Sequence, residues 1–456
     1  MSLFQAIAML GLLISLSSSL MEPGRLRRRI LGDDNYSFLL ISQPIDHNDP
    51  TKGSFNQRYQ ALFDYTTDNK TAILFIGGES DTFRPRAFND YMATLCKEFN
   101  AAFFMLEHRY FGESFPTDLS YPNIQHLTVD NAIRDLQNFK VEMVKKYNME
   151  GSKWILIGGS YPGLLSAYTR AKYPEDFHAS IASSGVVIAS NNYEDFDRQI
   201  AISLGQSCAS VAREIRRRTD ELLETDPDWL LSTFNMTGLE KENFPLVLGE
   251  IFSLGAQYGR RQQLCGPLED TLITGADPVM AIAKYTREIF TPNYADDDII
   301  GTYSNSRLSQ TSTPNGPRAW LWMTCNELAY WQVNSGRLTL RSKKVTQDFF
   351  LNQCKSVFSD QMTTPDTDAW NSKWGELLKK TSRIYYLTGS QDPWTPVCYT
   401  AEDSDKIGPN CYVHTIVGQE IGHCRDLSSP QPTDPTDLTR TREHVKAVIH
   451  KWLAED

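Results

Sequence analysis

One stretch decides the fold: Trp154-Ile155-Leu156-Ile157-Gly158-Gly159-Ser160-Tyr161-Pro162-Gly163. Its first four residues are apolar and predict a short buried strand, and the glycine pair predicts a sharp turn. The residues after Ser160 have the apolar spacing of a helix. Strand, turn, serine and helix are typical of a nucleophile elbow, which lifts the serine oxygen above the edge of a sheet. The alternative is an ordinary strand-to-helix turn with a capping serine.

Pro162 departs from the usual G-x-S-x-G pattern of such a turn, because it stands where the second glycine is expected. A proline is accommodated in the first turn of a helix, where the N–H group that it lacks would have no partner. The pattern therefore predicts that Pro162 lies in the first turn of the helix after Ser160.

Apolar runs alternate with helical patterns on both sides of this stretch. Buried strands are predicted at 38–42, 57–65, 72–76, 101–106, 154–157, 179–183, 384–388 and 412–417. Helices are predicted at 87–99, 128–147 and 437–454. Apolar strands that alternate with helices indicate a mostly parallel sheet covered on both faces.

The pattern changes between residues 189 and 375, where strands are few and helical patterns dominate. Helices are predicted here at 194–205, 207–224, 244–260, 278–290 and 319–335. We interpret this segment as a mainly helical cap inserted into the sheet domain. The first part of that domain would be 35–188, and the second part would be 376–456.

A serine hydroxyl needs a neutral imidazole as base and a carboxylate that orients the imidazole. Two residues that follow late strands fit these roles. Asp392 comes after the strand at 384–388, and His423 comes after the strand at 412–417. The order Ser160, Asp392, His423 is that of α/β-hydrolases, so we predict an α/β-hydrolase fold with these three catalytic residues. Alternatively, Asp392 only forms a turn, and His423 is an ordinary histidine of a surface loop.

Other histidines are weaker candidates for the base. His414 lies within a predicted strand, His444 and His450 lie on the last helix, and His108 is expected to brace a loop. The oxyanion hole is expected to use the backbone N–H of Tyr161. Its second donor would come from the turn Gly77-Gly78-Glu79, through the N–H of Gly78 or Glu79.

The composition bears on the class of protein and its compartment. The 456 residues carry a net charge of −11, which argues against a nucleic-acid binder. The apolar run at 3–16 predicts a signal peptide over 1–20, and residues 21–34 would be a disordered arm or a pro-segment. No later stretch is apolar enough to cross a bilayer.

The cysteine count fits the secretory route. Eight cysteines without metal-like clustering predict disulfides in an exported protein. The candidates are Cys96, Cys208, Cys265, Cys325, Cys354, Cys398, Cys411 and Cys424. Four of them fall inside the cap, which bridges should tie together. Glycosylation sequons occur at Asn35, Asn69 and Asn235. Secretion, a vacuole and a lysosome-like compartment remain open.

Several motifs resemble the prolyl carboxypeptidase and dipeptidyl-peptidase II family of serine peptidases. They are Gln43-Pro-Ile-Asp46-His47, Phe55-Asn-Gln57-Arg58-Tyr59, Gly77-Gly-Glu-Ser-Asp81, Glu107-His-Arg-Tyr110, Gly112-Glu-Ser114, Gly158-Gly-Ser-Tyr161 with Gly163, Trp322-Met-Thr-Cys325-Asn-Glu327, Asp392-Pro-Trp394 and Gly422-His423. The resemblance implies the triad named above and cleavage of peptides after proline, usually as an exopeptidase. It places Trp394 in the proline pocket, with Leu164 where a methionine is common.

The resemblance implies a peptide substrate and neither a metal nor an organic cofactor, and it leaves a homodimer open. It does not choose among a carboxypeptidase, a dipeptidyl-peptidase and an endopeptidase. Two other classes stay in view. An esterase or lipase would share the triad, and a binding protein on a hydrolase scaffold would be expected to have lost a member of it.

Overall fold

The computed structural model describes residues 38–79, 88–294, 299–336 and 338–455. The predicted signal peptide, the arm at 21–34 and Asn35 lie outside these residues. The strands are β1 (Leu39–Pro44), β2 (Ser54–Leu62), β3 (Thr71–Ile76), β4 (Ala101–Leu106), β5 (Lys153–Gly159), β6 (Ala179–Ser183), β7 (Ile384–Gly389) and β8 (Tyr412–Ile416). Each one covers most or all of a strand predicted from the sequence.

The longer helices fall into a core set and a cap set. In chain order they are α1 (Asp90–Glu98), α2 (Val129–Tyr147), α3 (Tyr161–Lys172), α4 (Glu194–Leu204), α5 (Gln206–Thr225), α6 (Pro227–Thr233), α7 (Phe244–Gln257), α8 (Arg261–Thr274), α9 (Pro278–Tyr285), α10 (Gly316–Met323), α11 (Gln347–Val357), α12 (Thr367–Leu378) and α13 (Thr436–Ala454). Single-turn helices occur at Tyr121–Ile124, Thr291–Tyr294, Ile299–Tyr303 and Asn305–Leu308. Among the described helices, none is long and apolar enough to cross a membrane.

All eight strands form one sheet in the order β1-β2-β4-β3-β5-β6-β7-β8. The pairs β1–β2 and β2–β4 are antiparallel, and every later pair is parallel. Strands β3 to β7 are largely buried because helices cover both faces: α1 and α13 pack on one face, and α2 and α3 on the other. This topology is the α/β-hydrolase fold, as predicted.

The chain between β6 and β7 forms the helical insertion, from α4 to α12. Two disulfides lie within it, as predicted. Cys208–Cys265 joins α5 to α8, and Cys325–Cys354 joins the π-helical turn at Thr324–Leu328 to α11. Each bridge stabilises the folded cap because it restricts the unfolded chain, and the gain increases with the length of the loop that the bridge closes.

The prediction of disulfides at the other four cysteines is wrong for the structure described. Cys96, Cys398, Cys411 and Cys424 are free thiols. Cys96 is a residue of α1 and packs in the core on the opposite side of the sheet from the cap. The other three thiols lie against different carbonyl oxygens, those of Trp394, Thr381 and Ser183, rather than against one another.

The predicted helices of the cap were correct at α4, α5, α7 and α9, where a π-helical turn at Thr286–Phe290 extends α9 to the predicted end. They were wrong in two respects. The helix expected over 319–335 ends at Leu328, where Ala329 and Tyr330 both adopt positive φ. Positive φ at two consecutive non-glycine residues leaves no signal in the sequence, so the end was missed. In addition, no helix was predicted at α6, α8, α11 or α12. Helix α8 contains Pro267, which normally argues against a helix.

Candidate active site

Ser160 stands at the turn between β5 and α3. Its backbone has φ 65° and ψ −130°, a conformation that a non-glycine residue rarely adopts. The turn is held by the N–H of Ser160, which donates to Ser183 O at 2.9 Å. Pro162 lies in the first turn of α3, as predicted. A strained serine at this position has the backbone geometry of a nucleophile elbow.

His423 and Asp392 form a buried pair. His423 Nδ1 lies 2.8 Å from Asp392 Oδ2, and the two side chains are only 5% and 0% exposed. A carboxylate only accepts, so Nδ1 carries a proton, and in the neutral form of the imidazole Nε2 presents a lone pair. His423 Nε2 is buried and has no hydrogen-bond partner among the described residues. The imidazole therefore has the tautomer and the unoccupied nitrogen that a general base requires.

The Ser160 turn and the His423 loop are in contact. A side-chain carbon placed on Gly159 would lie 2.9 Å from Cys424 Sγ, and the N–H of Cys424 donates to Ser184 Oγ at 2.9 Å. Ser160 and His423 are not hydrogen-bonded to each other. Such bonds are often long without a substrate and shorten in the complex. The structure thus brings the three predicted residues to one place and pairs two of them.

The charge environment of His423 has two opposing parts. Burial lowers the pKa of this imidazole, whereas the Asp392 carboxylate and the neighbouring Cys424 side chain raise it, and together they hold the pKa well above the ordinary value of 6.5. Glu79 lies close enough to His423 for the two charges to interact, and burial raises the pKa of the Glu79 carboxyl. The site therefore holds two carboxyl groups around one histidine.

The predicted oxyanion donors lie on neighbouring turns. The N–H of Tyr161 is at the amino end of α3, where helix N–H groups are unpaired. A side-chain carbon on Gly78 would lie 2.5 Å from Pro162 Cγ, so the Gly77–Glu79 turn packs directly on the start of α3. The role of Tyr161, Gly78 and Glu79 as donors stays a prediction.

Trp394 lies at the centre of a group that we call the aromatic cluster: Tyr161, Phe196, Trp320, Tyr330 and Trp394. The Trp394 ring is 4.9 Å from Phe196, 5.7 Å from Tyr330 and 6.2 Å from the His423 ring, between centroids. Trp320 lies 5.6 Å from Tyr161 and 6.5 Å from Tyr330. The cluster therefore runs from the Ser160 turn, through the cap, to His423.

Sequence reasoning missed most of this cluster. Trp320 and Tyr330 come from the cap, and the positive φ at Tyr330 turns its ring toward Trp394. Gln257, at the end of α7, was also missed. Its side-chain oxygen accepts a hydrogen bond from Trp394 Nε1 at 3.1 Å, and its backbone carbonyl accepts one from the backbone N–H of His423 at 2.6 Å. The only feature of the sequence that could have pointed to this cluster is the group of tryptophans near Cys325, at positions 320, 322 and 331.

The remaining predicted site residues lie as follows. Leu164 is fully buried in the core, so its place in a substrate pocket stays a prediction. Asn69 is half-buried in the turn between β2 and β3, and Asn235 is exposed on the cap; neither glycosylation is tested. His414, His444 and His450 bind Asp437, Tyr385 and Glu98 respectively. In the described ranges, no group of three or more potential ligands could hold a metal ion.

Known proteins resemble this chain along most of its length. The Arabidopsis thaliana protein described as "Probable serine protease EDA2" is 29% identical over 97% of this chain and 94% of its own. The mouse thymus-specific serine protease is 23% identical over 91% of this chain and 87% of its own. Among solved structures, a proline iminopeptidase from Mycobacterium smegmatis matches with 13% identity and a TM-score of 0.37, over 92% of this chain and 100% of that one.

A family model carries the assignment. The model described as serine carboxypeptidase S28 matches residues 43–227 and 259–445, which include the Ser160 turn, the Asp392 loop and the His423 loop. This match covers far more than half of the chain and both parts of the sheet domain. The chain therefore belongs to the serine carboxypeptidase S28 family and is a serine-type peptidase.

Proposed function

We propose that this peptidase cleaves peptides after proline, with Ser160 as nucleophile, His423 as general base and Asp392 as the residue that orients His423. The observation that carries the proposal is the His423–Asp392 pair, at 2.8 Å, with Nε2 of His423 unpartnered. A histidine that merely lies in a loop is not expected to have a buried carboxylate bound to one ring nitrogen. Nor is it expected to have its other ring nitrogen buried without a partner next to a strained serine.

The proposed reaction has two stages, acylation of the serine and hydrolysis of the acyl-serine. Ser160 Oγ attacks the carbonyl carbon of the scissile bond, and its proton passes to His423 Nε2. The carbonyl oxygen becomes an oxyanion, which the N–H of Tyr161 and a donor of the Gly77–Glu79 turn would stabilise. His423 returns the proton to the leaving amine, and an acyl-serine remains. Water then attacks the ester with the same base, and the carboxylic acid product leaves.

The aromatic cluster supports the preference for proline. A prolyl ring is compact, apolar and without an N–H group, so a site for it gains most from flat apolar surface. Trp394 supplies such a surface beside His423, and Gln257 fixes the plane of its ring through the indole N–H. Desolvation by these rings would also strengthen the electrostatic interactions around the reacting carbonyl.

The cap supports attack near a chain end. Its helix α7 reaches the catalytic loop, because Gln257 binds both Trp394 and His423. A cap in this position would limit access by folded proteins and favour short or terminal segments. A relative from Arthroderma benhamiae, 24% identical over 87% of this chain and 64% of its own, is described as "Probable extracellular serine carboxypeptidase". This name and the two disulfides support a secretory route and carboxypeptidase activity.

Three variants test the proposal. Ser160→Ala should lower kcat by about a million-fold, because only binding and oxyanion stabilisation remain. Trp394→Ala should lower kcat/KM by about ten- to a hundred-fold for substrates with proline before the scissile bond, since a ring contact is lost. Substrates with alanine there should lose less.

The matched control is Trp229→Ala, which removes a tryptophan that is 41% exposed on the cap. It should change neither substrate class. Peptidase activity that persists in Ser160→Ala contradicts the triad. Equal losses for proline and alanine substrates in a folded Trp394→Ala protein contradict the role of Trp394 in proline recognition.

A further inference from the structure

The motif Glu107-His108-Arg109-Tyr110 has no part in the function proposed above, yet its side chains are almost completely buried. Three of them reach different elements. Glu107 accepts from Arg58 on β2 at 2.6 and 2.9 Å, and Arg109 donates to Asp135 on α2 through two bonds of 2.6 Å. Only His108 points to the elbow. The motif therefore links the sheet edge, helix α2 and the Ser160 turn.

The hydrogen bonds of His108 define its tautomer. His108 Nδ1 lies 2.7 Å from the carbonyl oxygen of Arg109, and Nε2 lies 3.0 Å from Tyr161 Oη. A carbonyl only accepts, so Nδ1 carries the hydrogen. Burial lowers the pKa of His108 to about 4, so the ring is neutral at the pH of most compartments. Nε2 is thus an acceptor, and the hydroxyl of Tyr161 donates to it.

The Tyr161 hydroxyl is buried and keeps its proton. The side chain of Tyr161 is 0% exposed, and burial keeps its pKa well above the ordinary value of 10.0, so the proton stays on the oxygen. The hydrogen bond to His108 therefore satisfies a buried donor that would otherwise be unpaired. It also fixes the side chain of the residue whose backbone N–H is the first predicted oxyanion donor.

The second predicted donor is fixed to the same segment. The N–H of Gly77 donates to Leu106 O at 2.9 Å. A side-chain carbon on Gly77 would lie 2.5 Å from Leu106 O and 3.2 Å from the backbone nitrogen of His108, so the two backbone segments are in close contact. Residues 106–108 thus hold the Gly77–Glu79 turn through the backbone and the Tyr161 turn through the His108 side chain.

We propose that His108 is a positioning residue of the oxyanion hole, which sets the Tyr161 N–H relative to the Gly77–Glu79 turn by accepting the Tyr161 hydroxyl. The inference rests on the proposed function and adds the residue that aligns its donors. Oxyanion donors act by being preorganised, and removal of one costs about 100- to 1,000-fold in kcat. Misalignment should cost less, about 10- to 100-fold in kcat, with KM nearly unchanged.

The experiment compares Tyr161→Phe, His108→Leu, the double variant and His108→Gln. Tyr161→Phe keeps the ring and removes the donor, and His108→Leu removes the acceptor. Each should lower kcat to a similar extent, and the double variant should be no worse than the single variants. His108→Gln should recover most of the rate, because its amide can accept from Tyr161 and donate to the Arg109 carbonyl.

Two inhibitors separate positioning from a general loss of structure. A peptide ending in prolinal forms a tetrahedral oxyanion on the serine, whereas the matching prolinol does not. Affinity for the prolinal should fall by the same factor as kcat, and affinity for the prolinol should not change. The control His178→Gln alters another histidine that bonds to a backbone carbonyl, that of Trp452, at the opposite end of the strands, and should change nothing.

Two outcomes would overturn the inference. One is full kcat in folded Tyr161→Phe and His108→Leu proteins, and the other is an equal loss of affinity for prolinal and prolinol. The parallel Ser160→Ala assay distinguishes the two proposals. Loss of turnover in Ser160→Ala together with unchanged rates in the His108 and Tyr161 variants would refute only the positioning role. Activity that persists in Ser160→Ala would refute the proposed function.

Discussion

Removal of the Cys325–Cys354 bridge is a perturbation whose size can be worked from the structure. The bridge closes a loop with a sequence separation of 29 residues, against 57 for Cys208–Cys265. The chain-entropy relation gives a loss of about 3.6 kcal/mol at 25 °C for the shorter loop and about 4.2 kcal/mol for the longer one. We therefore expect Cys325→Ala with Cys354→Ala to lose slightly less stability than Cys208→Ala with Cys265→Ala.

Urea unfolding, followed by tryptophan fluorescence, measures these losses. Alanine also deletes buried sulfur atoms, so Cys96→Ala serves as the matched control. Cys96 is a free cysteine with no exposed surface, and its substitution gives the packing cost of one sulfur alone. Twice that cost is subtracted from the loss in each double variant.

Peptidase activity, measured without urea, gives a second readout. The Cys325 turn leads into Tyr330, so loss of this bridge should lower activity on proline substrates more than loss of Cys208–Cys265 does. The reasoning is refuted if both corrected losses fall below about 1 kcal/mol, or if the shorter loop loses more than the longer one.

Three further predictions follow from the site. Asp392→Asn should lower kcat by about 10,000-fold and shift the acid limb of the kcat/KM profile to lower pH, because the carboxylate that raises the pKa of His423 is gone; an unshifted limb would contradict the assignment. Gln257→Ala removes the acceptor of the Trp394 indole and should cost about 1 kcal/mol, or roughly fivefold in kcat/KM, on proline substrates alone, which paired kinetics with alanine substrates would check. The pKa of His108 is about 4 in the folded chain and near 6.5 in the unfolded chain, so the unfolded chain takes up the proton first as the pH falls. Protonation of His108 should therefore lower the free energy of unfolding by up to about 3 kcal/mol between pH 6.5 and pH 4. Urea unfolding of His108→Gln should show a smaller loss of stability over this range than the parent chain does.

The strands and the predicted site could be located in the sequence because each depends on local pattern. The buried runs at 72–76 and 101–106 are predicted as strands from hydrophobicity alone, and the residues after the last two strands were expected to meet at one edge of a parallel sheet. The pairing of His423 with Asp392 follows from this geometry. The glycine pair at 158–159 likewise predicted the nucleophile elbow.

The parts that could not be predicted depend on contacts between distant segments or on unusual backbone. No spacing rule links Tyr161 to His108, or Gln257 to Trp394, because each contact forms only when the cap and core are in place. The positive φ of Ala329 and Tyr330 is enforced by packing rather than by residue type. An even count of cysteines also could not tell that Cys398, Cys411 and Cys424, although near the same loops, would remain thiols.

The position of the cap within the chain has a consequence during synthesis. Ser160 lies in the part of the sheet made first, whereas Asp392 and His423 follow the whole cap, and β7 must return to pair with the edge of β6. If the proposed mechanism holds, a nascent chain therefore carries the nucleophile long before it carries the base. Peptidase activity would therefore be absent until the last strands are made, and a stalled or truncated chain would not cleave nearby proteins.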